Sequence, residues 1–152
     1  MRHITIVGGG QAGLLLALGL RQHGHQVRLV QNRSAEDMRS GKVLSSQCVF
    51  QAARAHERAL GLDLWADSAP AIEGMRVQVA APDGSGAKAI GFEGRLSGPA
   101  QSVDQRVKFP EFLRVLAAKG GTIELHDVGV PDLERYAGES DLVVVAAGKA
   151  DV

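Results

Sequence analysis

The apolar positions near the start of the chain fall into three blocks. Residues 3–7 (HITIV) form a short apolar run that predicts a buried strand. Residues 11–22 place Leu14, Leu15 and Leu18 at helical spacing, and after Gly24 the run at 26–30 predicts a second strand. Strand, helix and strand within about 30 residues make a β-α-β unit.

Farther on, the pattern changes twice. Residues 34–46 are mixed and polar, and residues 47–60 read as a helix closed by Gly61. After Pro70, Met75, Val77 and Val79 alternate with Arg76, Gln78 and Ala80, the period of a half-buried strand. The turn signal PDGSG at 82–86 follows, then a second strand-like piece to about Phe92, with Gly94 and Gly98-Pro99 as punctuation. This predicts a small antiparallel sheet inserted into the α/β unit at about residues 71–104. Phe112, Leu113, Leu116 and Ala117 mark a helix ended by Gly120-Gly121, and Thr122–Leu125 reads as a strand. Leu133–Tyr136 predicts a short helical turn, and Leu142–Ala146 is a continuous apolar strand. The fold class expected is α/β, a Rossmann-like unit with a small inserted antiparallel β-sheet. The 152 residues are read as one domain.

Composition narrows the partners more than the fold. Hydrophobic residues make up 45% and charged residues 22%, ordinary for a soluble globular chain. Seventeen Lys and Arg balance seventeen Asp and Glu, so no net charge argues for nucleic acid or an anionic membrane surface. A single cysteine, Cys48, fits a reducing compartment and allows no internal disulfide. No apolar run approaches the roughly 20 residues of a membrane span. The early apolar stretch is broken by three glycines, which argues against a signal peptide. A cytoplasmic protein is expected.

The candidate chemistry sits between the first strand and the first helix. Gly8-x-Gly10-x-x-Gly13 has the spacing of a dinucleotide fingerprint. Gly8 permits the tight turn, Gly10 lets a pyrophosphate approach the backbone, and Gly13 lets helix and strand pack closely. The backbone of Gln11 and Ala12 opens the helix, whose N-terminus favours phosphate. A carboxylate about 20 residues beyond usually takes the adenosine ribose hydroxyls. Gln31 and Asn32 stand there instead, followed by Arg33. An amide accepts a hydrogen bond without charge assistance, and Arg33 suits either adenine stacking or a 2′-phosphate. Two ligands therefore stay open, a loosely held FAD or NADP. A nucleotide-binding fragment without catalysis is a third reading.

Other polar residues favour plainer roles. His23-Gly24-His25 lies in a helix-to-strand connection without an acidic or cysteine partner at zinc spacing, so no metal is expected. Cys48 reads as an inert buried thiol, and Phe50 and Trp65 as core. Ser45-Ser46 suits a helix N-cap before residues 47–60 better than a nucleophile.

The whole chain resembles the oxygenase component of two-component styrene monooxygenases and the related indole monooxygenases. The resemblance rests on IVGGGQAGLLLALGLRQHGHQV, on GKVLSSQ followed by HERALGLDLW, on GPAQSVDQRVKFPEFLRVLAAKGG and on DLVVVAAGK, in that order. The first and last blocks occur in many flavoproteins, and the two middle ones are more specific. The resemblance implies an FAD-dependent monooxygenase of the aromatic-hydroxylase fold. Its reduced FAD arrives from a separate NADH-dependent flavin reductase, and one oxygen of O2 goes to the double bond of a small aromatic substrate of styrene or indole type. A flavin that arrives and leaves needs no ribose carboxylate, which gives one answer to Gln31.

By position in those blocks, Gly8, Gly10, Gln11, Ala12 and Gly13 match the pyrophosphate turn, and Gln31, Asn32 and Arg33 the adenosine edge. Lys42 falls where a flavin-facing arginine is expected, and Ser45 near an expected asparagine; both depart from the pattern. Arg106 matches an arginine that reaches back to the cofactor, and Gly148 closes the late strand. The resemblance reaches only the N-terminal part of the family, whose substrate domain and last flavin contact lie beyond it. No catalytic acid or base is identified. A sheet left with an open edge is expected to favour a homo-oligomer.

Overall fold

The computed structural model describes residues 1–43 and 47–148. It divides into two compact units, Met1–Ser45 with Asp104–Val152, and Ser46–Val103. In the first unit, strands β1 (His3–Val7), β2 (Gln26–Gln31), β5 (Thr122–Leu125) and β6 (Leu142–Val145) form one parallel sheet in the order β5-β2-β1-β6. Helix α1 (Gln11–Gln22) connects β1 to β2, and α2 (Ala35–Ser40) follows β2. Helix α4 (Gln105–Ala118) precedes β5, and α5 (Val130–Glu139) precedes β6. The chain steps outward from β1 through β2 to β5, then returns to the other side of β1 as β6.

Alternation along the strands decides which face is core. Ile4 pairs with Val27 and Ile6 with Leu29 across β1 and β2, and all four are buried. Leu14 and Leu18 of α1 and Phe112, Leu113 and Leu116 of α4 are buried too, and α1 packs against α4. On the alternate positions, Thr5 pairs with Arg28, and Arg28 with Thr122. There Tyr136 of α5 is buried and its hydroxyl donates to Glu124 Oε1 at 2.7 Å.

In the second unit, α3 (Gln51–Ala59) is followed by an antiparallel pair, β3 (Ala71–Ala80) and β4 (Lys88–Gln101). Asp63 ties the region after α3 to that helix: Arg54 Nη2 donates to both of its carboxylate oxygens, at 2.9 and 3.1 Å, while Arg54 Nη1 donates to the Pro99 carbonyl of β4. Gln101 Nε2 donates to the carbonyls of Trp65 and Ala69.

The parallel and antiparallel parts agree with the sequence reading, and several details correct it. β4 runs through Gly94 and Gly98-Pro99, read above as punctuation, because Gly94 pairs with Met75 within the ladder while Gly98-Pro99 fall in a register shift, where proline needs no ladder bond. α5 spans ten residues where a single turn was expected. α3 begins at Gln51, with Phe50 as its N-cap residue and no side-chain cap, so a helix from residue 47 capped by serine is not what forms. Ser46 lies outside the described residues. Phe50 is exposed rather than core, and Cys48 is only half-buried. The six-residue α2, absent from the sequence reading, is set by a capping box between Ser34 and Asp37. Among the described residues no helix is long and apolar enough to cross a membrane.

Candidate dinucleotide site

The β1–α1 turn lies at the carboxyl ends of β1 and β6, where the strand order reverses. Such a reversal opens a crevice in which α/β sheets bind ligands. Gly8 has φ +117°, a backbone state that side chains rarely adopt, and a Cβ there would overlap the carbonyl oxygen of Ala146. The Ala146 N–H donates to Val7 O at 2.7 Å, so the end of β6 is drawn over the turn. A Cβ on Gly13 would overlap the Gly8 carbonyl oxygen, which is why α1 sits so close to β1. Gly10 differs from both. It is the N-cap residue of α1 in extended conformation, and nothing lies within 4 Å of where its Cβ would be.

That open space is where the fingerprint places a pyrophosphate. The amides of Ala12 and Gly13 stand in the first turn of α1, where helix geometry supplies no carbonyl for them. They and the positive end of the helix dipole favour a phosphate there. The cradle beside Gly10 fits a dinucleotide.

At the end of β2, Gln31 is 6% exposed. Its Nε2 donates to the Arg33 carbonyl at 2.7 Å, and its Oε1 is buried without a hydrogen-bond partner among the described residues. That oxygen stands where a Cβ on Gly9 would be. Asn32 and Arg33 are exposed beside it. Next to them, Asp37 accepts hydrogen bonds from the hydroxyl and the backbone N–H of Ser34, which hold its carboxyl below the usual carboxylate range, aided by the charge of Arg33.

The remaining candidates are less gathered. Lys42 is exposed, and Ser45 lies outside the described residues. Arg106 makes a bidentate pair with Asp104, with Nε donating to Oδ1 at 3.2 Å and Nη2 to Oδ2 at 2.7 Å. Hydrogen bonds from the side chain and backbone of Arg106 hold the Asp104 carboxyl low. Asp104 also caps α4, so the pair fixes the start of that helix. Gly148 is exposed just beyond β6, on the edge that carries the glycine turn. Sequence reasoning passed over Gly9 and Ala146. The GGG run was a signal for Gly9; Ala146 had none, because β6 meets the turn only in the fold.

A cavity of about 360 Å3 opens at the opposite, amino end of the sheet, lined among others by Thr5, Arg21, Arg28, Thr122 and Ser140. Its arginines are engaged, Arg21 with the carbonyls of His25 and Lys119 and Arg28 with Glu139. Gly120, at φ +78°, also lines it, but the cavity lies away from the Gly8–Gly13 turn.

Parallel sheet, glycine turn and open cradle define a Rossmann-type dinucleotide-binding unit. The chain resembles the N-terminal part of the styrene monooxygenase oxygenases. It is 32% identical over 148 residues to styrene monooxygenase StyA of Pseudomonas fluorescens, covering 97% of this chain and 34% of that protein. A styrene monooxygenase StyA from a Pseudomonas species matches to the same extent. The chain thus spans about a third of the length of these relatives. No protein-family model matches it.

Solved structures share the fold at lower identity. The flavin-dependent brominase Bmp2 superposes with a TM-score of 0.62 at 21% identity, over 81% of this chain and 29% of that one. The myxobacterial chondrochloren halogenase CndH, described as FAD-dependent, gives 0.62 at 18% identity over 82% and 28%. The 2-methyl-3-hydroxypyridine-5-carboxylic acid oxygenase gives 0.59 at 17% identity over 82% and 31%.

Proposed function

We propose that this chain is the FAD-binding part of a two-component flavoprotein monooxygenase, supplied with reduced FAD by an NADH-dependent flavin reductase and epoxidising small aromatic substrates of styrene or indole type. The observation that carries the reading is the glycine turn with open space beside Gly10, in a chain 32% identical to styrene monooxygenase over nearly its whole length. FAD, when bound, supplies the oxygen chemistry. Gly8 and Gly13 shape the turn, Gly10 admits the pyrophosphate, and the backbone of Gln11, Ala12 and Gly13 receives it. Gln31, Asn32 and Arg33 border the adenosine side, with no carboxylate at the end of β2. Lys42, Ser45, Arg106 and Gly148 are assigned to the cofactor on the resemblance alone. A homo-oligomer and a cytoplasmic location belong to the same proposal.

Weak FAD binding follows from a ribose edge without charge. Titration of the protein with FAD, reduced FAD and NADPH, followed by flavin or protein fluorescence, tests it. Binding of either flavin form more tightly than NADPH supports the reading. Tighter binding of NADPH than of both flavin forms sinks it. Styrene epoxide and indigo assays with a flavin reductase then test the substrate class on the intact protein.

A further inference from the structure

The fingerprint leaves the position between its first two glycines free, yet this chain places a third glycine there, Gly9. Gln31 explains it. Its side chain crosses from the end of β2 to the turn, and Oε1 takes the volume that any residue but glycine at position 9 would fill. At the other end of the amide, Nε2 is held by the Arg33 carbonyl at 2.7 Å. That acceptor also fixes the amide's orientation, since the reversed amide would set oxygen against oxygen. Both ends of Gln31 are therefore consumed inside the protein, one by a hydrogen bond and the other by packing.

Burying an acceptor without a partner is costly, and such groups call for an explanation. Here the amide is a wedge between β2 and the turn, and the turn's outer side at Gly10 stays open. We infer that Gln31 is a positioning residue, a strut that holds Gly9 and thereby the phosphate-binding backbone, and that it does not read the ribose hydroxyls. The inference rests on the proposal that a dinucleotide occupies this turn. Its consequence is that the grip on the ligand is concentrated on the phosphates. Removing a ribose hydroxyl then costs little, while loosening the strut weakens every ligand that carries the diphosphate.

The test is calorimetric titration of the intact protein with ADP, 2′-deoxy-ADP and 3′-deoxy-ADP. In the wild type the three affinities should agree within about threefold, since an unmade ribose contact removes nothing. Gln31→Ala should weaken all three together by about fivefold or more, because a loosened turn must be ordered on binding. Gly9→Ala should also weaken binding, and adding Gln31→Ala should restore part of the loss by making room for the methyl group. A deoxy ligand binding about tenfold weaker than ADP in the wild type, with that difference abolished by Gln31→Ala, would show a direct ribose contact and overturn the inference. Absence of ADP binding overturns it as well. If Gly9→Ala does not fold, the wild-type and Gln31→Ala titrations decide alone. The ADP pattern without FAD binding would remove the flavin proposal and leave the strut, whereas FAD binding with hydroxyl discrimination would do the reverse.

Discussion

Alanine at each fingerprint glycine should separate two jobs that the motif combines. At Gly8, alanine must adopt φ +117°, and its methyl group overlaps the Ala146 carbonyl oxygen. A residue held in so sparsely populated a backbone state costs about 1–3 kcal/mol. Relieving the overlap with a backbone atom adds about 1–3 kcal/mol more, the usual scale of overpacking. A loss of about 2–6 kcal/mol is large against a total stability of about 5–15 kcal/mol. At about 2–4 °C per kcal/mol for a chain of this size, Gly8→Ala should lower Tm by about 4–24 °C. Gly10→Ala meets nothing within 4 Å and starts from an extended backbone that alanine accepts. Its weaker capping costs about 0.5–1 kcal/mol, offset by about 0.4–1 kcal/mol from the stiffer unfolded chain. The net change should stay within about 0.5 kcal/mol, or about 2 °C. If FAD binds as proposed, the methyl group stands in the space left for its pyrophosphate, so FAD affinity should fall by at least about tenfold, and Gly10→Val should abolish binding. Calorimetric melting without ligand, followed by FAD titration, measures both quantities. Equal melting losses at Gly8 and Gly10, or unchanged FAD affinity in Gly10→Val, would refute the division of labour.

Four further outcomes are expected. Arg54 and Asp63 are both largely buried, at 8% and 9% side-chain exposure, and removing one partner of such a pair costs about 3–5 kcal/mol, so Arg54→Leu should melt the Ser46–Val103 unit early. Burial pushes the Asp63 carboxyl up, but its hydrogen bonds to Arg54 and Arg58 outweigh that and hold it below 3.8. Its contribution is therefore complete above that pH and lost as pH falls below it, so the melting gap between wild type and Asp63→Asn should narrow below pH 4. Asp132 is held down to about 2, first by the Gly129 N–H that it accepts at 3.0 Å and then by Arg135 and His126. Amide protection in the first turn of α5 should thus survive acidification to pH 3 and fail toward pH 2, whereas Asp132→Ala should remove it at neutral pH. Finally, Val79, Ile90 and Phe92 on the β3–β4 pair and Leu142 and Val145 on β6 are exposed, Phe92 at 61%. Uncovered apolar strands invite pairing, so the 152-residue chain should scatter light as an oligomer or melt at low temperature, and a stable monomer would contradict this.

What the sequence disclosed, and what it hid, follows the distance over which each feature is determined. β1, α1 and β2 were legible because apolar period and glycine spacing act within a few residues. The helix breaker Gly24 turns at φ +80°, as the pattern required. α5 is longer than its local pattern suggests: Gly138 weakens the helical signal near its end, while Tyr136, reaching Glu124, anchors it from another element. β4 is longer than its pattern suggests for the converse reason: Gly94 pairs with Met75 inside the ladder, and Gly98-Pro99 are taken up by a register shift between the Ile72–Ala100 and Gly74–Arg95 pairs, so neither ends the strand.

The candidate site divides the same way. Spacing alone singles out Gly8, Gly10 and Gly13, and the fold distinguishes them by what surrounds each, Ala146 for Gly8, the Gly8 carbonyl for Gly13 and open space for Gly10. None of those neighbours is visible in the motif, since Ala146 lies more than a hundred positions away in the chain. Gln31 is the sharper case. Its residue type gave a question about charge at the ribose, whereas its side chain is spent on Gly9 and Arg33, and that depends on how the end of β2 lies beneath the turn. A missing carboxylate and an extra glycine, read separately, look like one weakness and one redundancy. Set side by side in the fold they are a single contact, because the amide needs the space that only glycine leaves.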